Sequence, residues 1–382
     1  MKPAAYITTS AQLLDLCAAL RDQPWVALDT EFLREKTYWP RLCLIQLATP
    51  DIVACIDTLA LVDLSPLLEV IYEPQRTVIL HAASQDIEIL NRLYGTPPPS
   101  LFDTQIAAAF LGYGDQIGYA SLIQTLLGVQ LDKSATRTNW EARPLSQAQL
   151  SYAANDVRYL GEAYPRMLAE LTRKGRLHWV QEEFARLSDP QTYGIDPEHM
   201  WTRIKGHARL QPRQLAALRA LAAWREREAI DQDRPRRHIL GDTPLLALAQ
   251  GLPKTRQELK RLRGLAAGQT ERWGALWLEQ IKQALELPPE AWPTARIRPA
   301  TTPETEAATE LMMALVHHSA RYHSISPSVI TTRAMLQGLL SGQTDSPLLQ
   351  GWRAEIVGDR LSKLVHGQLS IGLDEGRLRV YE

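Results

Sequence analysis

The stretch 25-WVALDTEF-32 decides how the first half of the chain is read. Trp25, Val26, Ala27, Leu28 and Phe32 have the composition of a buried β-strand, yet Asp29 and Glu31 stand among them. Side chains alternate across a strand, so these two carboxylates project from one face, roughly 7 Å apart along the chain. A core strand that carries two acids on one face needs a reason for them.

Further strands are predicted outward from this one, at "LCLIQLA" (42–48), "IVACID" (52–57), "TVILH" (77–81) and "LFDT" (101–104). The first three lie close enough in sequence for antiparallel pairing, whereas the later ones are separated by helical segments such as "QDIEILNRLYG". The expectation is an α/β domain with a mixed sheet flanked by helices. Two breaks follow: the turn-rich "SDPQTYGIDPE" (188–198), and "LPPEAWPTARIRPATTP" (287–303) with five prolines. Between them, "QPRQLAALRALAAWREREAI" repeats its apolar residues at helical spacing. Beyond them, "SPSVITTRAMLQGLL" and "SPLLQGWRAEIVG" each open on Ser-Pro and reach a Gly, in the manner of helix caps. Three domains are expected, at 1–200, 208–290 and 300–382, the last two small, all-helical and similar enough to suggest a duplication.

The chain has 382 residues, 45% hydrophobic and 22% charged, and reads as soluble and globular. Its first residues lack the basic start and continuous apolar run of a secretion signal, and no stretch approaches a membrane span, so a cytoplasmic protein is expected. Cys17, Cys43 and Cys55 form no CxxC pair and sit in apolar surroundings, as buried thiols do. The net charge of -1 hides an asymmetry: residues 1–190 carry 16 Lys+Arg against 22 Asp+Glu, while 208–290 carry 15 against 10. An acidic part that binds cations and a basic part that meets a polyanion would account for the division, although a solvated helical surface produces basic stripes too.

Two other segments supply acids that match the pair on the strand. "HAASQDIEIL" (81–90) puts Asp86 near a helix start, and "LSQAQLSYAANDVRYL" (145–160) opens with a Ser146–Gln149 capping box and sets Tyr152 and Asp156 on one helical face. Four carboxylates brought together repel one another and require a cation. Two divalent ions about 4 Å apart would relieve the repulsion, activate water and stabilise both oxygens of a phosphodiester cleavage.

"ALDTEF", "LHAASQDIEIL" and "YAANDVRYL", in that order, resemble the three motifs of the DEDD exonuclease superfamily, in its tyrosine branch. "DTEFLREKTYWPRLCLIQLA" and "LDKSATRTNWEARPLSQAQLSYAANDVRYL" resemble the bacterial ribonuclease D family, and "RPRRHILGD" lies in a region similar to an HRDC domain, with a more divergent copy after it. The resemblance implies an RNase H-like exonuclease domain followed by two HRDC-type domains. The implied activity is metal-dependent 3′–5′ exoribonuclease action that releases nucleoside 5′-monophosphates and trims precursor tRNA 3′ ends and other structured RNA. Asp29, Glu31, Asp86 and Asp156 would hold two Mg²⁺ or Mn²⁺ ions, and Tyr152 would position the attacking water.

RNA contacts are expected from His81, Lys133, Arg137, Arg143, Arg234, Arg236 and Arg237, with Trp140 or Tyr38 stacking on a base. Each has a structural alternative: His81 bonded to backbone, the loop cations solvated, Trp140 packed beneath its loop. No membrane and no obligate protein partner are expected. Two rival functions share the motifs. A proofreading DNA exonuclease is disfavoured by the flanking sequence and the lack of a polymerase segment, and an inactive adaptor by the presence of all four acids and Tyr152.

Overall fold

The computed structural model describes residues 4–131, 138–294 and 302–381. It divides into two compact units: residues up to Phe32 with Leu42–Tyr193 and the chain beyond 300, and, separately, Leu33–Arg41 with Gly194–Pro299.

The first unit is built on a mixed sheet with strands β1 (Ala5–Ile7), β2 (Trp25–Leu33), β3 (Arg41–Ala48), β4 (Val53–Asp57), β5 (Thr77–Leu80) and β6 (Leu101–Asp103), in the order β1-β4-β3-β2-β5-β6. β3 and β4 pair antiparallel, with Ile45 opposite Ile56. β2 runs parallel to β5, with Val26 opposite Val78, and β5 runs parallel to β6. The mixed sheet is as the sequence predicts, except for β1: three residues are too few to show alternation, and this strand is fixed by parallel pairing to β4.

Helices cover the sheet: α1 (Ser10–Leu20), α2 (Ser65–Ile71), α3 (Ser84–Tyr94), α4 (Thr104–Leu111), α5 (Tyr119–Leu127), α6 (Gln147–Arg158), α7 (Leu160–Arg173) and α8 (Leu177–Leu187). The expected Ser146–Gln149 capping box starts α6, whose Ala153, Ala154 and Val157 are buried. Gly161, in the first turn of α7, lets the Trp25 indole approach to where a Cβ would meet it at 2.7 Å. All three cysteines are buried free thiols.

The second unit holds α9 (Pro212–Asp231), α10 (Arg236–Ile239), α11 (Asp242–Gly251), α12 (Arg256–Arg261) and α13 (Ala267–Glu286), packed around Leu215, Leu218, Trp224, Leu248 and Trp277. The chain beyond 302 repeats the order of a long, a four-residue and a medium helix: α14 (Pro303–His323), α15 (Pro327–Ile330) and α16 (Arg333–Leu340). Within the first unit it packs against α4 and α8 through Trp352, whose ring is 4.8 Å from Phe110 and 5.8 Å from Trp179, and through Arg353, whose Nη1 is 2.8 Å from Glu183.

This segment differs from expectation in two places. Gly358 does not end a helix but lies within a π-helical turn, Ala354–Gly358, where a Cβ would collide with the Leu348 carbonyl. The chain then closes with an antiparallel hairpin, β7 (Ser370–Asp374) and β8 (Arg377–Tyr381). Glu375 and Gly376 both have positive φ, 48° and 73°, as a two-residue type I′ turn demands. Among the described residues, no helix is long and apolar enough to cross a membrane.

Candidate active site

Asp29 and Glu31 lie on the central strand β2, past Ala27↔Ile79, the last pair of its register with β5. Ligands of open α/β sheets gather at this carboxyl end of the strands. Asp156 reaches the same place from α6, and one oxygen each of Asp29, Glu31 and Asp156 lie within 4.8 Å of one another. Asp86 stands just outside this trio, in the first turn of α3, where the helix dipole favours an acid. It remains close enough for its charge to act on Asp29 and Glu31.

The electrostatics follow from this crowding. Burial first, then the charges of Asp86, Asp156 and Glu31, push the Asp29 carboxyl well above its ordinary value. Burial and the charges of Asp156 and Asp86 raise Glu31 to about 8. Burial raises Asp156 to about 7 and Asp86 to about 6, each opposed by a hydrogen bond, from Tyr152 and Thr30 respectively. Four acids whose proton affinity is raised by burial, with oxygen as their sole donor atom, suit a hard divalent cation, which would compete with the protons. Tyr152 therefore sits one turn from Asp156 with its hydroxyl donated to that carboxylate.

Three residues that the sequence did not single out hold these groups. Thr30, which points away from Asp29 and Glu31, donates its hydroxyl to Asp86 Oδ1 at 2.5 Å. Asp103 accepts from the backbone N–H groups of Ala82 and Ala83 (3.2 and 2.9 Å) and of Gln105 and Ile106 (2.7 and 3.2 Å), which fixes the turn that leads into α3. Ala82 there adopts φ 57°, a strained value for a residue with a Cβ. Tyr119 donates to the Asn155 carbonyl at 2.7 Å, beside Asp156. An Asp at the join of a strand and a helix was the only signal for any of these in the sequence.

Several residues expected to meet RNA have partners within the fold. His81 faces the Ile117 carbonyl with Nε2 (3.1 Å) and the Thr104 hydroxyl with Nδ1 (3.0 Å), and burial lowers its pKa, so both ring nitrogens are engaged within the fold. Arg143 grips Asp57 with two nitrogens, at 2.6 and 2.7 Å, and also donates to the carbonyls of Trp140, Ala142 and Cys43. Burial alone would raise Asp57, but hydrogen bonds from Arg143 and Tyr6 outweigh it and hold the carboxyl below its ordinary value. Trp140 is only 4% exposed and packs 6.2 Å from the Tyr152 ring, so it supports the tyrosine instead of offering a face to a base.

In the second unit, Tyr38 is buried, bonds Glu226 through its hydroxyl, and is covered by Arg236, whose guanidinium lies 5.1 Å from the ring centre. Arg236 is itself paired with Glu226. Arg234 and Arg237 are exposed. Lys133 and Arg137 lie outside the described residues.

A mixed sheet that gathers acids from two strand positions and two helices defines a metal-dependent phosphodiesterase of the exonuclease class, and a 3′–5′ exonuclease family model matches residues 4–172. An HRDC domain model matches residues 214–281. The chain is 41% identical over 376 residues to ribonuclease D of Gluconacetobacter diazotrophicus, which covers 98% of this chain and 95% of that protein. It is 39% identical over 378 residues to ribonuclease D of Granulibacter bethesdensis, with the same two coverages. The crystal structure of Escherichia coli RNase D, described as an exoribonuclease involved in structured RNA processing, matches with a TM-score of 0.87 at 34% identity, covering 96% of this chain and 99% of that one. The chain belongs to the ribonuclease D family, and it is a 3′–5′ exoribonuclease.

Proposed function

We propose that Asp29, Glu31, Asp86 and Asp156 together hold two divalent ions, magnesium or manganese. We propose further that the enzyme trims the 3′ ends of precursor tRNAs and other structured RNA in the cytoplasm, releasing nucleoside 5′-monophosphates, and that residues 1–200, 208–290 and 300–382 are its three modules. The observation that carries the metal assignment is the trio of oxygens within 4.8 Å, on carboxyls that burial shifts upward, with repulsion adding to the shift at Asp29 and Glu31.

When bound, such a pair of ions acidifies water and stabilises the entering and leaving oxygens of the displaced phosphate. The protein contributes the placement. β2 fixes Asp29 and Glu31 at a two-residue spacing, and α6 fixes Asp156 and Tyr152 one turn apart. A phenol ionises near pH 10 and is a poor base at neutrality, so the Tyr152 hydroxyl acts by orienting the incoming water beside Asp156. Trp140 beneath the tyrosine limits the rotation of its ring.

The test is a time course on 3′-labelled RNA and matched DNA, with metal and then with excess chelator. Sequential mononucleotide release from RNA, halted by chelator, is expected. Internal fragments, or cleavage that persists without metal, would contradict the assignment, and preference for the DNA would restore the proofreading alternative.

A further inference from the structure

In an unbroken helix the Asn155 carbonyl would accept from the N–H of Tyr159, four residues on. Here α6 stops at Arg158 and α7 starts at Leu160, and the Tyr119 hydroxyl stands where that bond would be. It donates to the Asn155 carbonyl at 2.7 Å and accepts from the Tyr159 N–H. A side chain inserted into the hydrogen-bond ladder bends a helix at the point of insertion. That point adjoins Asp156 and lies one turn past Tyr152. Burial, and then the charges of Asp156 and Asp29, push the Tyr119 phenol well above its ordinary pKa, so the hydroxyl keeps the proton it donates.

The segment that carries Tyr119 is held at several points. The Ile117 carbonyl accepts from Gln105 Nε2 (3.1 Å) and faces His81 Nε2 (3.1 Å), and the His81 ring lies 5.6 Å from that of Tyr119. Further back, residues 110–115 meet the end of α14. Arg176, 9% exposed, donates to the Phe110 carbonyl (2.7 Å) and to the His323 carbonyl (2.5 Å). One guanidinium thus joins the carboxyl ends of α4 and α14, where helix dipoles favour a cation. Burial lowers the pKa of Arg176, so its charge is well placed only while both carbonyls stay in reach. Ser324 ends α14 with φ 52° and brings its carbonyl so close to Gly112 that a Cβ there would collide with it. Ser328 donates to Asp115 Oδ2 at 2.5 Å.

We propose that Tyr119 is a positioning residue for Asp156, and that the chain beyond 302 acts on the acidic site through it. The seam at Arg176, Gly112 and Asp115 fixes residues 112–118, those residues fix Tyr119, and the Tyr119 hydroxyl fixes the last turn of α6, which bears Asp156. The carboxy-terminal segment is then part of the catalytic apparatus without touching substrate. The idea rests on the reading of Asp156 as a metal ligand and adds what holds that ligand in place. Coupling of this kind travels through contiguous packed groups, and its signature is that perturbations along one line do not add.

The experiment follows single-turnover mononucleotide release by the full chain from a short single-stranded RNA, at saturating manganese and enzyme. Tyr119→Phe keeps the ring and loses the inserted hydroxyl, so about tenfold slower release is expected, with RNA affinity in chelator unchanged within about twofold. Arg176→Gln loosens the seam and should slow release about threefold. Because the seam acts through Tyr119, the double variant Tyr119→Phe/Arg176→Gln should be about tenfold slower, no worse than Tyr119→Phe alone, whereas independent effects would multiply to about thirtyfold. Arg176→Lys, which keeps a cation at the two helix ends, should recover most of the rate. If Arg176→Gln does not fold, Ser328→Ala takes its place in the cycle, on an exposed contact of the same seam, with a loss of about twofold and the same non-additivity.

Multiplying losses in the double variant would make the seam and Tyr119 independent and overturn the proposal, as would a folded Tyr119→Phe protein that cuts at the parental rate. A loss confined to RNA affinity would make the segment a substrate contact and overturn it too. Asp156→Asn, assayed in parallel, separates the two levels. Parental activity in Asp156→Asn refutes the metal-ligand reading and the coupling with it, whereas a slow Asp156→Asn beside an unaffected Tyr119→Phe refutes the coupling alone.

Discussion

Two clusters of charge in this protein, one half-buried and one fully buried, are built in opposite ways. In the second unit, Glu226 is fully buried, yet it meets Arg236 on both oxygens and the Tyr38 hydroxyl besides. In the first unit, Asp29, Glu31 and Asp156 meet chiefly one another, and among the described residues the compensation they receive is a few hydrogen bonds. A buried acid with a cation at hand is part of the scaffold, whereas a buried set of acids without one awaits a cation from outside. The same distinction sorts the arginines. Arg143 and Arg236 are consumed by Asp57 and Glu226 and belong to the scaffold.

The contrast predicts that removing a carboxylate charge has opposite consequences in the two places. Asp29→Asn, Glu31→Gln, Asp86→Asn and Asp156→Asn should each lower single-turnover cleavage by about 10³-fold or more, since each removes a charged ligand at nearly constant volume. The metal-free variants should be no less stable at pH 8 than the parent, because repulsion is relieved. A folded Asp29→Asn protein with near-parental turnover would break the contrast at its first term. Glu226→Gln should do the reverse: it leaves Arg236 half-compensated and is expected to cost roughly 3 kcal/mol of stability, read as a lower midpoint in urea. Cleavage of short RNA by the folded fraction of that variant is the accompanying check that the loss lies in the scaffold.

Smaller effects sharpen the picture within the acidic site. Tyr152→Phe should slow the chemical step by about 10²-fold while metal affinity changes little, because one orienting hydroxyl is lost and the four acids remain. An unchanged single-turnover rate would remove Tyr152 from the mechanism. Thr30→Val deletes the hydrogen bond to Asp86 without altering any ligand, so about tenfold weaker manganese binding is expected, with Thr30→Ser restoring most of it. Equal affinities for Thr30→Val and the parent would show that Asp86 needs no such support.

Stability against pH follows with a definite sign. Glu31, Asp156 and Asp86 have folded values of about 8, 7 and 6, above the ordinary carboxyl range near 4. Between those limits the folded state binds more protons than the unfolded chain, so the metal-free protein should lose stability as pH rises from about 5 to 8. Saturating magnesium should flatten that decline, which thermal melts across the range would reveal.

How much of this was legible in the sequence depended on distance along the chain. The two-residue spacing of Asp29 and Glu31 and the four-residue spacing of Tyr152 and Asp156 are local, and both pairs lie as their periods require. The role of Thr30 was hidden because its partner is 56 positions away, and Arg143 looked solvated because Asp57 is 86 positions away. The place of Tyr38 was hidden for the same reason, since its partner Glu226 is 188 positions away. The closing hairpin differs from the helices that the Ser-Pro starts suggest for 300–382, and its one local signal is the Asp374-Glu375-Gly376 turn between two alternating runs.

The buried acids and the metal assignment meet in a single measurement, calorimetric titration of the metal-free enzyme with Mn²⁺ at several pH values, in buffers of different ionisation enthalpy. Two ions should bind, with net release of protons near pH 7 that fades by pH 9, and Asp29→Asn should bind at least one ion far more weakly. Binding with no proton release at any pH, or an Asp29→Asn titration indistinguishable from the parent, would show that these carboxylates are not the metal site.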